Sequence, residues 1–352
     1  IIGCIPSYET IGYAAPIIVL ILRLLQGLAL GGEYGGAATY VAEHAPKNEK
    51  GYWTSWIQTT ATVGLFISLV VILLTKSVLS AEQFDAWGWR VPFWVSILMV
   101  FVSYLIRKNM DESPAFAKAK SEGKTSSNPL KESFGNKYNL KFVLLALFGA
   151  TMGQGVVWYT GQFYAMNFLK TVQNIESTQV DTLLGIALIL GTPFFVFFGW
   201  LSDKIGRKSV MMTGMLIAIL LYRPIYRAMY ESTDLNLKTE IAAHTKIVPS
   251  AKTIDATKVD SVFTTTKAYT DGTQVEEVKT VHYEAGKVVL DDKGKEKTET
   301  KITKTINNSD KWFLVFMVFI QVIFVTMVYG PIAAFLVEMF PVKIRYTSMS
   351  LP

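Results

Sequence analysis

Seven stretches of this sequence are apolar over lengths that cross a lipid bilayer, approximately 14–41, 52–75, 90–107, 141–169, 180–201, 208–229 and 312–340. A hydrocarbon core about 30 Å thick takes roughly 20 residues of helix, each rising about 1.5 Å. Backbone groups in lipid must be satisfied within the segment, and the roughly ten-residue alternation of a barrel is missing, so the windows read as helices. The expected fold class is an all-α polytopic membrane protein. Of 352 residues 51% are hydrophobic and 18% charged, and a soluble chain would disperse the apolar ones rather than gather them into blocks. The single Cys4 excludes an intrachain disulfide and a cysteine-built metal site, so neither cofactor nor metal is expected. A net charge of +6 is what basic loops supply and needs no nucleic acid.

The first residues, Ile1 to Ile5, read as the end of an apolar run already under way, and Ser350-Leu351-Pro352 falls where another span could begin, so both ends read as cut. Lys and Arg concentrate in alternate loops. One set holds Lys47, Lys50, Arg107, Lys108, the lysines of 118–141, Lys204, Arg207, Lys208, Lys343 and Arg345; the other holds Lys76, Arg90 and Lys170. The richer set is expected to face the cytoplasm. Residues 231–310 are too polar for lipid and fall on the opposite side. Alternating runs at 261–269 and 275–283, with Asp271-Gly272 and Ala285-Gly286 between and after them, follow hairpin grammar, so the segment is either a small β-rich module or a disordered insertion.

Tyr34-Gly35 through Glu43 and Pro46, followed by Lys50, aligns without a gap with Tyr329-Gly330 through Glu338 and Pro341, followed by Arg345. Counting spans from one copy to the other gives an offset of six, which preserves orientation, as in parallel transporter repeats.

Polar residues inside the windows are candidates for function, because a charge at bilayer depth costs at least about 2.5 kcal/mol unless it faces a partner or water. Arg23, Gln26 and Glu33 fall on one stripe of the first window. Ser55, Gln58, Thr59 and Thr62 share a face of the second, opposite Leu65, Leu69 and Leu73, which suits a wet cavity or a polar helix contact. Thr151, Gln154, Trp158 and Gln162 are expected on one side of the fourth, with Tyr159 and Tyr164 close by, a mix of amides and rings suited to a polar or cationic metabolite. The glycines 31, 32, 35 and 36 strip bulk from the surroundings of Glu33. In the tight loop after the fifth window, Asp203 can meet the positive N-terminus of the following helix, Gly206 allows the turn, and Arg207 can reach Glu338.

Gly199-Trp-Leu-Ser-Asp203-Lys-Ile-Gly206-Arg207-Lys208 resembles the cytoplasmic loop signature of the major facilitator superfamily. The run from Arg23 to Gly36, with Trp89-Arg90-Val91-Pro92-Phe93, Glu112-Ser113-Pro114, Trp158 to Tyr164 and Tyr346-Thr347, is similar to its metabolite:proton symporter branch. The resemblance covers everything except 231–310, an outer loop that is usually short. It implies two six-helix halves around a central site, here from the end of helix 3 through helix 10, and proton-driven uptake of a small organic acid or zwitterion across the bacterial inner membrane. The expected divisions are 1–107 for the end of the first half, 108–140 for a central loop, 141–230 for three helices of the second half, 231–310 for the insertion, and 311–352 for helix 10 and the following loop.

On this reading the chain is a multi-pass secondary transporter rather than an enzyme, acting as a monomer in the lipid bilayer on a small-molecule substrate with the proton as coupling ion. Arg23, Gln26, Glu33, Gln58, Gln154, Trp158, Tyr159 and Gln162 would line the pathway, and Gly199, Asp203, Gly206, Arg207, Lys208, Glu43, Glu338 and Arg345 would form the cytoplasmic gate. The alternatives are a sugar-porter-like facilitator, a seven-span receptor, which the six-span repeat disfavours, and a polytopic enzyme. For the last, no metal pair, nucleophile with base or intramembrane histidine is found, since His44 ends a helix and His244 and His282 lie in the insertion.

Overall fold

A computed structural model describes residues 1–109, 111–255, 258–284, 287–289, 296 and 298–351. Seven helices among the described residues are long and apolar enough to cross a membrane. They are α1 (Ala14–His44), α2 (Lys50–Val78), α3 (Gly88–Lys108), α4 (Lys137–Val172), α5 (Ser177–Ile205), α6 (Arg207–Ser232) and Asn308–Met339. The last is broken at Gly330-Pro331 into α7 (Asn308–Tyr329) and α8 (Ile332–Met339), because a proline cannot donate to the preceding turn. The sequence windows match these spans, although the continuous window 312–340 missed the break, and α6 and α7 extend into the segment expected to be insertion by two and three residues.

The chain forms two compact units, one of residues 1–156, 192–215 and 325–352 and the other of 157–191 and 216–324. In the first, α8 packs on α1 and α2 through small and branched residues, Ala38, Ala42, Ile332, Ala333, Leu336 and Val337 among them. Ala38, Ala42 and Ala333 are fully buried, and their lack of bulk lets the helix backbones approach. A short helix, α9 (Arg345–Met349), lies on α1.

In the second unit the insertion is ordered as an antiparallel sheet: β1 (Lys246–Asp255), β2 (Lys258–Ala268), β3 (Gln274–Glu284), β4 (Lys287–Val288) and β5 (Thr298–Thr305). The order is β1-β2-β3, with β4 and β5 sharing the far edge of β3. Asp271-Gly272 closes the β2–β3 hairpin, with Gly272 at φ +88°, where glycine has no steric penalty. The second expected turn, Ala285-Gly286, lies outside the described residues. Pro249 stands in the outermost strand, where no neighbour needs its N–H.

The sheet is fastened to helix ends of its own unit. Lys304 N–H donates to Asn174 O at 2.7 Å and Glu176 N–H to Lys304 O at 2.9 Å, so β5 continues onto the α4–α5 link. The Gln179 amide bonds Ile306 N–H (2.9 Å) and O (3.2 Å). At the base, Lys238 Nζ bonds Asp271 (2.6 Å), Thr273 (2.9 Å) and Asp310 of α7. Burial alone would raise the Asp271 carboxyl, but hydrogen bonds from Lys238 and Thr273 outweigh it and hold it at about 2.

Candidate functional site

Gly206 is the only residue between α5 and α6, at φ +96°. Asp203, in the last turn of α5, accepts hydrogen bonds from Gly51 N–H (2.9 Å) and Tyr52 N–H (2.8 Å), two of the free donors in the first turn of α2. The residue preceding α2, Glu49, offers no side-chain cap, so Asp203 supplies it from another helix and places its charge at the positive end of the α2 dipole. This corrects the expectation that Asp203 meets the helix that follows it. The physical reason is the close crossing of α5 on α2: a Cβ on Gly51 would fall 2.5 Å from Gly199 O, and that approach brings the α2 start within reach of Asp203.

Arg207 completes the arrangement. Its Nη1 lies 2.5 Å from Asp203 Oδ1 and 3.1 Å from Ser202 Oγ, and its Nη2 lies 3.1 Å from Glu338 Oε1 on α8. The Asp203 side chain is 2% exposed and that of Arg207 12%, a depth at which ions persist only when paired. Lys208 is exposed. At the matching position of the repeat, Glu43 near the end of α1 pairs with Arg345 and accepts from the Ser113 hydroxyl, and Arg345 Nε donates to Phe340 O at 3.0 Å. Each repeat glutamate therefore holds one arginine. The stretch 108–140 joins the same assembly through Lys343–Glu132 and through Ser348 and Ser133 hydroxyls 2.9 Å apart. Hydrogen bonds from Lys343 and Ser126 hold the Glu132 carboxyl below its usual range.

The polar stripe of α1 divides. Arg23 Nη1 donates to Gln26 Oε1 at 3.1 Å, and both line a cavity of about 860 Å³ with Ser68, Lys76, Trp89 and Ser96. Glu33 instead pairs with Arg107 at 2.9 Å beside a separate cavity of about 910 Å³. Ten residues of helix put roughly 15 Å between Arg23 and Glu33, so each takes a nearer partner. On α2, Ser55, Gln58 and Thr62 are buried. Ser55 bonds Tyr52 O and Thr59 bonds Trp56 O, while Gln58 Nε2 donates to Tyr34 Oη at 2.7 Å, so this face is a helix contact.

On α4, Gln154 is 9% exposed whereas Tyr159 is 61% exposed; Trp158 and Gln162 are half-buried. Thr151 is half-buried as well, whereas Tyr159, five residues from Gln154 in the regular run Met152–Tyr159, lies about 140° around the helix from it; π-helical stretches at Ala146–Thr151 and Thr160–Tyr164 interrupt the 3.6-residue register on either side. Trp158, Tyr159 and Phe163 form a ring cluster with centroids 5.1–5.4 Å apart. Tyr222 and Tyr226 of α6 donate to Val157 O (2.9 Å) and Thr160 O (2.7 Å), contacts the sequence reading missed and that no spacing announces.

These features match a known family. Residues 1–228 fit the family model described as Major Facilitator Superfamily. The chain belongs to that superfamily. It is 34% identical to the shikimate transporter of Escherichia coli K12 over 234 residues, 65% of this chain and 52% of that protein. The alpha-ketoglutarate permease of the same bacterium is 30% identical over 229 residues, 65% of this chain and 51% of that protein. A putative proline/betaine transporter of Staphylococcus haemolyticus is 32% identical over 217 residues, 60% and 45% respectively. The chain spans about half the length of the curated relatives it matches. No solved structure matches it.

Proposed function

We propose that the complete protein is a proton-coupled symporter that moves a small polar metabolite, an organic acid or zwitterionic osmolyte, across a bacterial inner membrane by alternating access. The carrying observation is the pair of ionic fastenings, Asp203–Arg207–Glu338 and Glu43–Arg345. Both lie at the ends of an inward-running span in each repeat, where they hold the cytoplasmic side closed and must break for it to open. Their basic loops face the cytoplasm and the sheet of 231–310 lies outside. Residues 1–107 belong to one six-helix half and 141–230 with 311–352 to the other, joined through 108–140. Arg23 and Glu33 serve the polar pathway, with Gln154 as a substrate contact. The names of the relatives, transporters and permeases of shikimate, alpha-ketoglutarate and proline or betaine, support a carrier rather than an enzyme.

The test is counterflow uptake of labelled betaine, proline, α-ketoglutarate, citrate and shikimate by the full-length protein in proteoliposomes, with and without an imposed pH gradient. Uptake of at least one, increased by an inward proton gradient and abolished in Arg23→Gln at unchanged expression, is the expected result. Uptake indifferent to the gradient removes proton coupling and favours a facilitator, and unchanged uptake in Arg23→Gln removes Arg23 from the pathway.

A further inference from the structure

The sheet of 231–310 carries a side-chain cluster that the transport reading does not use. Asp260 stands opposite His282 in the β2–β3 ladder, and Glu299 stands opposite Thr280 in the β3–β5 ladder, two residues from His282 along β3. Alternate residues of a strand share a face, so Asp260, His282 and Glu299 meet on one side of the sheet. His282 Nδ1 lies 2.7 Å from Asp260 Oδ1, and His282 Nε2 lies 3.8 Å from Glu299 Oε1. A carboxylate oxygen accepts, so the ring proton of the neutral imidazole sits on Nδ1 and Nε2 presents a lone pair. That nitrogen is buried and has no hydrogen-bond partner. Two acceptors thus face one another, an arrangement that a cation between them relieves.

We propose that His282 Nε2 and Glu299 bind a divalent transition-metal ion of the zinc type, with Asp260 orienting the imidazole. The two donors of one tetrahedral zinc ion lie roughly 3.4 Å apart, so the pair must close by only a few tenths of an ångström. The means are at hand: the Asp260 and His282 side chains are 11% and 23% exposed and hold the ring in place, while Glu299, 74% exposed, is free to move onto the ion. The bond to Asp260 fixes the tautomer that offers Nε2 and makes that nitrogen more basic, as carboxylates do behind metal-bound histidines. Among the described residues no group of three His, Cys, Asp or Glu side chains is placed to hold an ion, so the ion has two protein ligands and keeps water in its other positions. An imidazole ligand favours zinc, copper or nickel over calcium and magnesium, which take oxygen ligands. The expectation of no metal rested on the single Cys4, and a histidine–carboxylate pair assembled across strands escapes it. The ion ties β5 to β3 at the start of β5, and the α4–α5 link holds the strand near its other end, at Lys304.

Calorimetric titration of the untagged full-length protein with zinc chloride, after removal of metal by a chelator, tests it. Wild type is expected to bind one Zn²⁺ per chain more than His282→Gln does, and calcium chloride should give no such difference. Asp260→Asn keeps an acceptor for Nδ1 but loses the charge behind the ring, and should weaken the site about 10–100-fold; Glu299→Gln should weaken it as well. Amide hydrogen exchange at residues 298–300 should slow when Zn²⁺ is added to wild type and stay unchanged in His282→Gln. If His282→Gln fails to fold, Asp260→Asn and Glu299→Gln carry the comparison. No zinc binding by wild type, or equal binding by wild type and the variants, overturns the site and gives the Nε2–Glu299 gap to a proton. Neither result bears on transport, which the uptake assay decides separately.

Discussion

Asp203 holds two backbone N–H groups and a guanidinium on one carboxylate, so its shape and charge can be tested separately. Asp203→Asn keeps an acceptor but leaves the buried Arg207 with Glu338 as its one carboxylate; removal of one member of a buried pair costs about 3 kcal/mol or more, and the thermal unfolding temperature in detergent should fall accordingly. Gly206→Ala, at φ +96°, should cost about 1 kcal/mol by the same measurement. A titration belongs to the sheet. The Asp271 carboxyl sits at about 2 in the folded protein against an ordinary 3.8, so its stabilising contribution is complete above the ordinary value and disappears as pH falls from about 4 towards about 2. Its partner Lys238 is raised, because the bonds to Asp271 and Asp310 outweigh burial, and contributes below its ordinary value. Pepsin cleavage within 231–310 should therefore accelerate across that acid window, and the window should narrow in Lys238→Met, where only the Thr273 bonds still hold the carboxyl down. The Arg207–Glu338 contact was legible from the sequence, since Arg207 in the tight loop and Glu338 at the end of its span were expected on the same side of the membrane. The acceptor role of Asp203 was not, because the N–H groups it satisfies begin a helix about 150 residues earlier.

Helix spans follow from length and hydropathy alone, and all seven were readable. What periodicity misreads is a helix that changes period. The π-helical stretches of α4 flank the regular run Met152–Tyr159 that carries both Gln154 and Tyr159, and they shift Thr151 and Gln162 off a uniform 3.6-residue wheel. The insertion shows the converse: few apolar residues, yet an ordered sheet, because Val275 and Val281 on one face are buried and β5 borrows hydrogen bonds from the α4–α5 link. Its hairpin was legible in Asp271-Gly272 and in the alternation on either side. Its attachment to the helices was not, because Gln179 bonds Ile306, and Lys304 bonds Asn174 and Glu176, across more than 120 residues of chain with nothing local to mark them. Gln179→Leu removes both bonds to Ile306 and should loosen that attachment by about 1–2 kcal/mol. Faster amide hydrogen exchange at Ile306 and in β5, with the Asp271-Gly272 hairpin unchanged, is the expected pattern.

Across the molecule, the proposed gating depends on whether the two glutamate–arginine fastenings hold one and the same closed face. They are not equal. The Glu43 side chain is 4% exposed and Arg345 14%, whereas Glu338 is 40% exposed beside Arg207. A solvated pair contributes at most about 1 kcal/mol, while stripping one partner from a buried pair costs several times as much. Glu43→Gln should therefore release the closed state more than Glu338→Gln, although the two residues occupy equivalent places in the repeat. A cysteine at Ala38, inside the apolar layer, reports the release when Cys4 is replaced by serine and an impermeant maleimide is applied to the cytoplasmic face of inverted vesicles carrying the full-length protein. Labelling should rise from wild type through Glu338→Gln to Glu43→Gln, highest in the double variant. Equal, slow labelling in all four would mean that neither pair guards the cytoplasmic opening, and that the apolar contact of α1 with α8 holds it shut unaided.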